Sequence, residues 1–174
     1  QGDGAQGTGE SQQTPQVTGP AVGDDPLKEK VAHVSVHDPS IFREVDENGE
    51  VVYYVYGTHI TSAKSEDLVD WKVFTNGYRK TNNTLYGDLS ANLSESFAWA
   101  GENDSDCKGG FAVWAPDIVY NEKYVNEDGS KGAYMLYYSV SSTYCRSAIG
   151  YAVADTVEGP FTYKGTIVYS GFTQ

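Results

Sequence analysis

One pattern runs twice along the 174 residues of this chain. The first copy opens at Asp38-Pro39-Ser40-Ile41, passes through Val52-Tyr53-Tyr54-Val55-Tyr56 and Ser62-Ala63-Lys64-Ser65-Glu66-Asp67, and closes at Trp71-Lys72-Val73-Phe74. The second opens at Ala115-Pro116-Asp117-Ile118, continues through Tyr134-Met135-Leu136-Tyr137-Tyr138 and Ser147-Ala148-Ile149-Gly150-Tyr151-Ala152-Val153-Ala154-Asp155, and ends at Phe161-Thr162-Tyr163. Each copy divides into four strand-sized stretches. Self-similarity of this kind marks a β-propeller blade, which cannot bury its faces alone. The innermost strand of a blade lines a central channel, so the polar residue at the head of each copy is where chemistry is to be sought. Asp38 is that residue in the first copy.

Local signals agree with the repeat. Val51 to Tyr56 is a nearly continuous apolar and aromatic run between Gly49 and Gly57, the pattern of a buried strand. Asp46-Glu47-Asn48-Gly49 supplies a hairpin turn before it, and Asn126-Glu127-Asp128-Gly129-Ser130 supplies the equivalent turn before Ala133 to Val140. No stretch of helical period exceeds two turns, so the fold class is all-β. Residues 75–110 form an insertion between the copies, rich in Asn, Ser, Gly and Asp, with Asn-x-Ser/Thr triplets at Asn82, Asn92 and Asn103. Loops of that length are usually functional or mobile. Two readings stand: a flap that shapes a cleft at the channel mouth, or a surface decoration.

Composition bounds the rest. Residues 1–30 contain no aromatic residue and are dominated by Gly, Gln, Thr, Pro and Asp, a composition that cannot offset its ordering entropy. They are expected to form a flexible tether, with the folded part at 31–174. The first blade is then placed at about 34–74, the insertion at 75–110 and the second blade at about 111–170. A closed propeller needs roughly four or more blades, so the remaining blades are expected as partners, in the same gene product or in a separate polypeptide. The net charge of −12 argues against nucleic acid, whose phosphates demand a basic surface. No apolar run is long enough to span a membrane. A polar tether beginning at Gln1 rather than Met fits an exported, extracellular or cell-surface protein, lipid-anchored through that tether. Cys107 and Cys145 are the only cysteines, and both a disulfide and two free thiols are compatible with the sequence.

Asp38 precedes Pro39, and proline biases the residue before it toward an extended backbone. That predicts a rigid Asp38 at a strand start, able to act as a general base on a nearby water. On an extended segment the neighbouring His37 points away from Asp38, as a buttress or a contact to an adjoining sugar. Trp114 is either a sugar-stacking platform or a core tryptophan between blades. Ser139 follows an apolar strand and can offer its hydroxyl to a polyol. His33 and His59 are structural, and no His, Asp or Glu pair has persuasive metal spacing, so no metal ligand or cofactor is assigned within this chain.

His37-Asp38-Pro39-Ser40, Tyr53-Tyr54-Val55-Tyr56-Gly57-Thr58, Ser65-Glu66-Asp67-Leu68 and Trp71 together resemble the first blade of family 43 glycoside hydrolases. Trp114-Ala115-Pro116-Asp117, Tyr137-Tyr138-Ser139-Val140-Ser141 and Ser147-Ala148-Ile149-Gly150-Tyr151-Ala152 resemble the second, and the last two are most similar to the endo-acting arabinanases. The resemblance extends from about Val34 to Ser170. It implies a five-bladed propeller that hydrolyses α-1,5-linked arabinan or a related plant cell-wall polysaccharide with inversion. It puts the general base at Asp38, a pKa-tuning Asp on the third blade and the general acid, a Glu, further on. Trp114 falls near the subsite beside Asp38, Asp117 becomes a structural residue or a substrate contact, and a central ion belongs to some complete domains of this kind. Glu158-Gly159-Pro160 is superficially like the surroundings of the acid, but its position between the last two strands of the copy puts it in an outer turn.

Two other readings remain open at this point. One is an exo-acting arabinofuranosidase or β-xylosidase of the same family. The other is a non-catalytic carbohydrate-binding propeller, which gains weight because the expected acid and third-blade Asp have no match within the chain.

Overall fold

The computed structural model describes residues 34–104, 110–143 and 146–171, all within the unit Val31–Gln174. The expected tether, His33, Cys107 and Cys145 lie outside the described residues. Ser40–Val45 (β1), Val51–Gly57 (β2), Thr61–Ser65 (β3) and Lys72–Val73 (β4) form a four-stranded antiparallel meander, with the single turn Thr58–Ile60 between β2 and β3. Leu89–Asn92 (α1) and Ser94–Ala100 (α2) follow, then the short pair Asn103–Asp104 (β5) and Gly110–Phe111 (β6). Val113–Val125 (β7), Lys131–Thr143 (β8), Arg146–Ala154 (β9) and Thr162–Tyr169 (β10) repeat the four-stranded meander. The chain is all-β, and it forms two propeller blades whose first strands, β1 and β7, pack side by side.

The same turn builds both hairpins. The Asp46 N–H donates to the Glu50 carbonyl at 2.9 Å and the Gly49 N–H to the Asp46 carbonyl at 3.0 Å, with Gly49 at φ 83°. In the second blade Asn126 donates to Ser130 at 2.9 Å and Gly129 to Asn126 at 2.9 Å, with Gly129 at φ 85°. Both turns need a left-handed residue at the fourth position, which glycine adopts at no steric cost. They set the register of everything behind them, for example Ser40 opposite Tyr56 and Asp117 opposite Tyr137.

The core lies between the blades. Tyr54 and Tyr56 of β2 meet Leu136, Tyr138 and Val140 of β8, all buried. Their polar ends are satisfied across the seam: the Tyr56 hydroxyl donates to the Val157 carbonyl, and the Tyr54 hydroxyl reaches Glu158 at 3.4 Å. Lys64 Nζ contacts the same Glu158 carboxylate at 2.5 Å, and the Tyr134 hydroxyl donates to Glu44 at 2.8 Å.

Residues 85–100 of the insertion are not a surface decoration, because they pack into the inter-blade core. Leu85, Leu89, Leu93, Phe97 and Ala100 recur at helical spacing and all enter the inter-blade core. Facing α2, strand β9 presents Ala148, Gly150, Ala152 and Ala154, whose small side chains let the helix approach. A Cβ on Gly150 would stand 2.9 Å from Ser96 Oγ and 2.6 Å from Tyr138 Cζ. The fully buried Ser96 hydroxyl bonds the Tyr138 hydroxyl at 3.0 Å and Thr166 Oγ1 at 2.7 Å. Asn92 donates to the Tyr86 and Phe161 carbonyls at 3.0 and 2.8 Å and accepts from the Tyr163 N–H at 3.0 Å. Its amide is therefore committed to the fold, so this triplet is no glycan acceptor. The polar composition hid the wedge because its apolar residues are few but all on one side.

Both outward sheet faces keep apolar surface open. On the first blade Ile41, Val45 and Val73 are exposed, and on the second Val119, Ile149 and Val168 are exposed around a smaller cluster of Ala133, Met135 and Val153.

Leu93→Ala should lower the unfolding free energy of the full-length protein by about 3 kcal/mol, measured by urea denaturation. A decorative insertion would lose under about 0.5 kcal/mol. The tyrosines of the seam also predict alkaline sensitivity. Burial, aided by the Glu158 carboxylate, pushes Tyr54 up to about 12, and burial likewise raises Tyr56, Tyr86, Tyr134 and Tyr138. The folded state thus keeps its phenols protonated while the unfolded chain ionises near pH 10. The urea midpoint should stay level up to about pH 10 and fall progressively above it; a level midpoint to pH ~11.5 would contradict the assignment.

Candidate active site

Asp38 sits just before β1, and its backbone is not extended as proline would favour: its φ is 48°, in the left-handed region. The cause is a close approach. The His37 carbonyl accepts from the Thr58 N–H at 2.9 Å, and a Cβ at Gly57 would stand 2.8 Å from that carbonyl oxygen. Only glycine at 57 leaves the His37–Asp38 segment room to turn in over the end of β2. The turn aims the Asp38 carboxylate at Thr58, whose buried hydroxyl donates to Oδ2 at 2.6 Å. Thr58 Oγ1 in turn accepts from the Ala115 N–H at the head of the second blade, at 2.9 Å. A carboxylate on one blade is therefore held through one hydroxyl to the backbone of the next.

Strain gathers at the same spot. Among the described residues six non-glycines have positive φ: Asp38, His59, Ile60, Leu68, Asn82 and Ala115. Four of them, Asp38, His59, Ile60 and Ala115, are bonded to Thr58 or follow it directly. Ile60, being β-branched, is the most costly of these. Such conformations persist only where surrounding structure imposes them, and they concentrate at functional sites.

A second hydroxyl of the first blade also crosses the seam. Ser40 of β1 donates to Asp117 Oδ1 of β7 at 2.7 Å and accepts from the Ile118 N–H at 3.3 Å. Trp114 packs edge-on against His59, with ring centroids 6.1 Å apart, and His59 lies 5.4 Å from the Tyr78 ring. The indole is thus part of the inter-blade contact at the head of the site, half-buried rather than fully enclosed.

The residues singled out in the sequence separate accordingly. Asp38, Trp114 and Asp117 come together through Thr58, His59, Ala115 and Ser40. His37 is exposed, and its Nδ1 lies 3.7 Å from Asp38 Oδ2. It does not point away, because the left-handed turn at Asp38 breaks the alternation of an extended segment. Ser139 alternates with the buried Tyr138 and Val140, which puts it on the other face of β8 with Met135 and Tyr137. Glu158 is in the turn between β9 and β10, tied to Lys64 and Tyr54. Thr58 and Ser40 were not singled out as site residues, although both sit inside the motifs. Among the described residues no three His, Cys, Asp or Glu side chains are grouped as a metal site.

The Asp38 carboxylate is half-exposed, with 49% of the side chain accessible. One oxygen is anchored and the group still meets solvent, an arrangement suited to taking a proton from a water.

No protein-family profile matches the chain. It is 37% identical over 139 residues to the extracellular endo-alpha-(1->5)-L-arabinanase 2 of Bacillus subtilis (strain 168), a match covering 79% of this chain and 25% of that protein. It is 36% identical over 138 residues to the extracellular endo-alpha-(1->5)-L-arabinanase of Thermotoga petrophila, covering 78% and 25%. The chain thus spans about a quarter of the length of the curated relatives it matches. Among solved structures, the endo-1,5-alpha-L-arabinanase of Thermotoga petrophila RKU-1 superposes with a TM-score of 0.62 at 33% identity, covering 83% of this chain and 28% of that one. The family 43 glycoside hydrolase YxiA of Bacillus licheniformis superposes with a TM-score of 0.60 at 36% identity, covering 82% and 27%. By sequence and by fold together, the two blades described here are related to the endo-arabinanases of glycoside hydrolase family 43.

Proposed function

We propose that this chain contributes the general base and one wall of the substrate cleft to an inverting hydrolase of α-1,5-linked arabinan. The observation that carries the reading is the Asp38 carboxylate, fixed by Thr58 at the seam of two blades, in a chain 37% identical to a named endo-arabinanase. Asp38 takes a proton from a water as that water attacks the anomeric carbon. The glycosidic C–O bond breaks on the opposite side, and a carboxylic acid about 6.5–9.5 Å away gives its proton to the leaving oxygen. In this reading the acid comes from a further blade, since Glu158 is committed to Lys64 and Tyr54 at the outer turn. Further blades also cover the open apolar faces of β1–β4 and β7–β10. Trp114 offers an aromatic face to a sugar beside the scissile bond, and His37 contacts the adjoining unit. The protein acts outside the cell, as the names of its relatives indicate for them, with the polar stretch 1–30 as a lipid-linked tether.

Asp38→Asn keeps an acceptor for the Thr58 hydroxyl and removes the base. In the full-length enzyme it should reduce kcat on linear arabinan at least about 10²-fold with an unchanged unfolding midpoint; near-normal turnover would refute the role. Thr58→Val removes both bonds of that hydroxyl, the one to Asp38 and the one from the Ala115 N–H, and with them the positioning of the carboxylate. It should lower kcat about tenfold and leave KM within about twofold, since a hydrogen bond to a charged group is worth roughly 1.5–3 kcal/mol. Product length distinguishes internal from terminal attack: mixed oligosaccharides early in the reaction support the endo reading, and arabinose alone supports exo action.

A further inference from the structure

We propose that Trp99, Arg146 and Tyr169 form a distal carbohydrate-binding subsite for the polymer chain that is cut beside Asp38. The assignment rests on the glycosidase reading above and adds to it a place where the polymer is held away from the reacting bond.

The three side chains come from separate elements and meet at one corner of the second blade. Trp99 belongs to α2, Arg146 opens β9 and Tyr169 ends β10. The Arg146 guanidinium carbon lies 5.1 Å from the centroid of the Trp99 ring. The Tyr169 ring stands edge-on to Trp99, with centroids 5.7 Å apart and planes at 85°. Arg146 is exposed and Tyr169 is 50% exposed, so the cluster presents a half-exposed tyrosine ring beside a guanidinium that itself lies over Trp99. A guanidinium resting on an aromatic ring keeps its N–H donors in a fixed fork at the rim. A sugar ring needs that pair of features, an aromatic face for its C–H side and fixed donors for its hydroxyls. Among the described residues no Asp or Glu is ion-paired to Arg146, even though the chain carries a net charge of −12.

Register puts this corner at the same end of the blade as Asp38. Val113 pairs with Val140, Val140 with Ala148, and Ala148 with Tyr169. Tyr169 therefore lies level with Val113, one residue from Trp114 and two from the Ala115 N–H that binds Thr58. Three strand spacings separate the ends of that row, about 14 Å. A polysaccharide leaving the Asp38 centre along the ends of β8 and β9 passes over Tyr169 and Arg146. The corner is too far from Asp38 to contact a short substrate bound there, so it should act on polymer alone.

The test uses the full-length protein in an Asp38→Asn background, which removes turnover. Binding is measured by affinity electrophoresis through gels containing debranched arabinan, with xylan and galactan gels run in parallel. Tyr169→Ala and Arg146→Ala should each raise the dissociation constant for arabinan about fivefold, and Trp99→Phe, which keeps the packing, should give a smaller increase. With Asp38 intact, the KM of the same variants for an aryl glycoside of a short α-1,5-arabino-oligosaccharide should not change. Unaltered retention of all three variants overturns the subsite. A parallel rise in KM for the short substrate also overturns it, because the residues would then act at the cleavage centre or through the fold. Loss of binding to xylan or galactan in place of arabinan leaves the subsite standing and overturns the substrate reading instead.

Discussion

Everything at the candidate site depends on a single hydroxyl. Thr58 donates to the Asp38 carboxylate and accepts from the Ala115 N–H, so a charged group of one blade and the backbone of the next share one buried oxygen. A hydroxyl has one proton and two lone pairs, and this pair of bonds fixes where the proton goes: the amide supplies its own hydrogen, leaving the threonine proton for the carboxylate. Any slip between the blades lengthens one of the two bonds. The position of Asp38 is therefore set by inter-blade packing as much as by its own strand, and a second first-blade hydroxyl, that of Ser40, crosses the seam to the Asp117 carboxylate and the Ile118 N–H.

The packing that holds this seam is a wedge between two sheets. Buried tyrosines of β2 and β8 carry large apolar area and place their hydroxyls on partners across the interface. The residues between the blades complete the wedge with a leucine ladder from Leu85 to Leu93 and with α2 laid on the small residues of β9. Strain at Asp38, His59, Ile60 and Ala115 is sustained because the core on either side leaves no cheaper arrangement.

Much of this was legible in the chain. The repeated turn, Asp46 to Gly49 and Asn126 to Gly129, announced two equivalent hairpins, and the aromatic runs behind them gave the strands. Counting outward from the first turn also places residue 58 opposite residue 38, so the Thr58–Asp38 pairing could have been found by register alone. What could not be read was the backbone of Asp38. The preference of a residue before proline is local, and here a carbonyl-to-amide bond from His37 to Thr58 overrides it. The outward face of Ser139 follows from alternation with Tyr138 and Val140, but only once the buried face of β8 is known. The wedge of 85–100 was hidden because its Asn, Ser and Asp residues serve as caps and internal bonds, as Asn83, Asp88 and Asn92 do, rather than as solvent-facing filler.

The most direct measurement is chemical rescue of Asp38→Ala by azide on an aryl glycoside of a short α-1,5-arabino-oligosaccharide. Azide needs no base to attack the anomeric carbon, so it can replace the activated water while the acid still assists departure of the leaving group. With Asp38 as the general base of an inverting reaction, azide should restore turnover and yield an arabinosyl azide of inverted configuration. No rescue, or an azide product of retained configuration, would contradict that role.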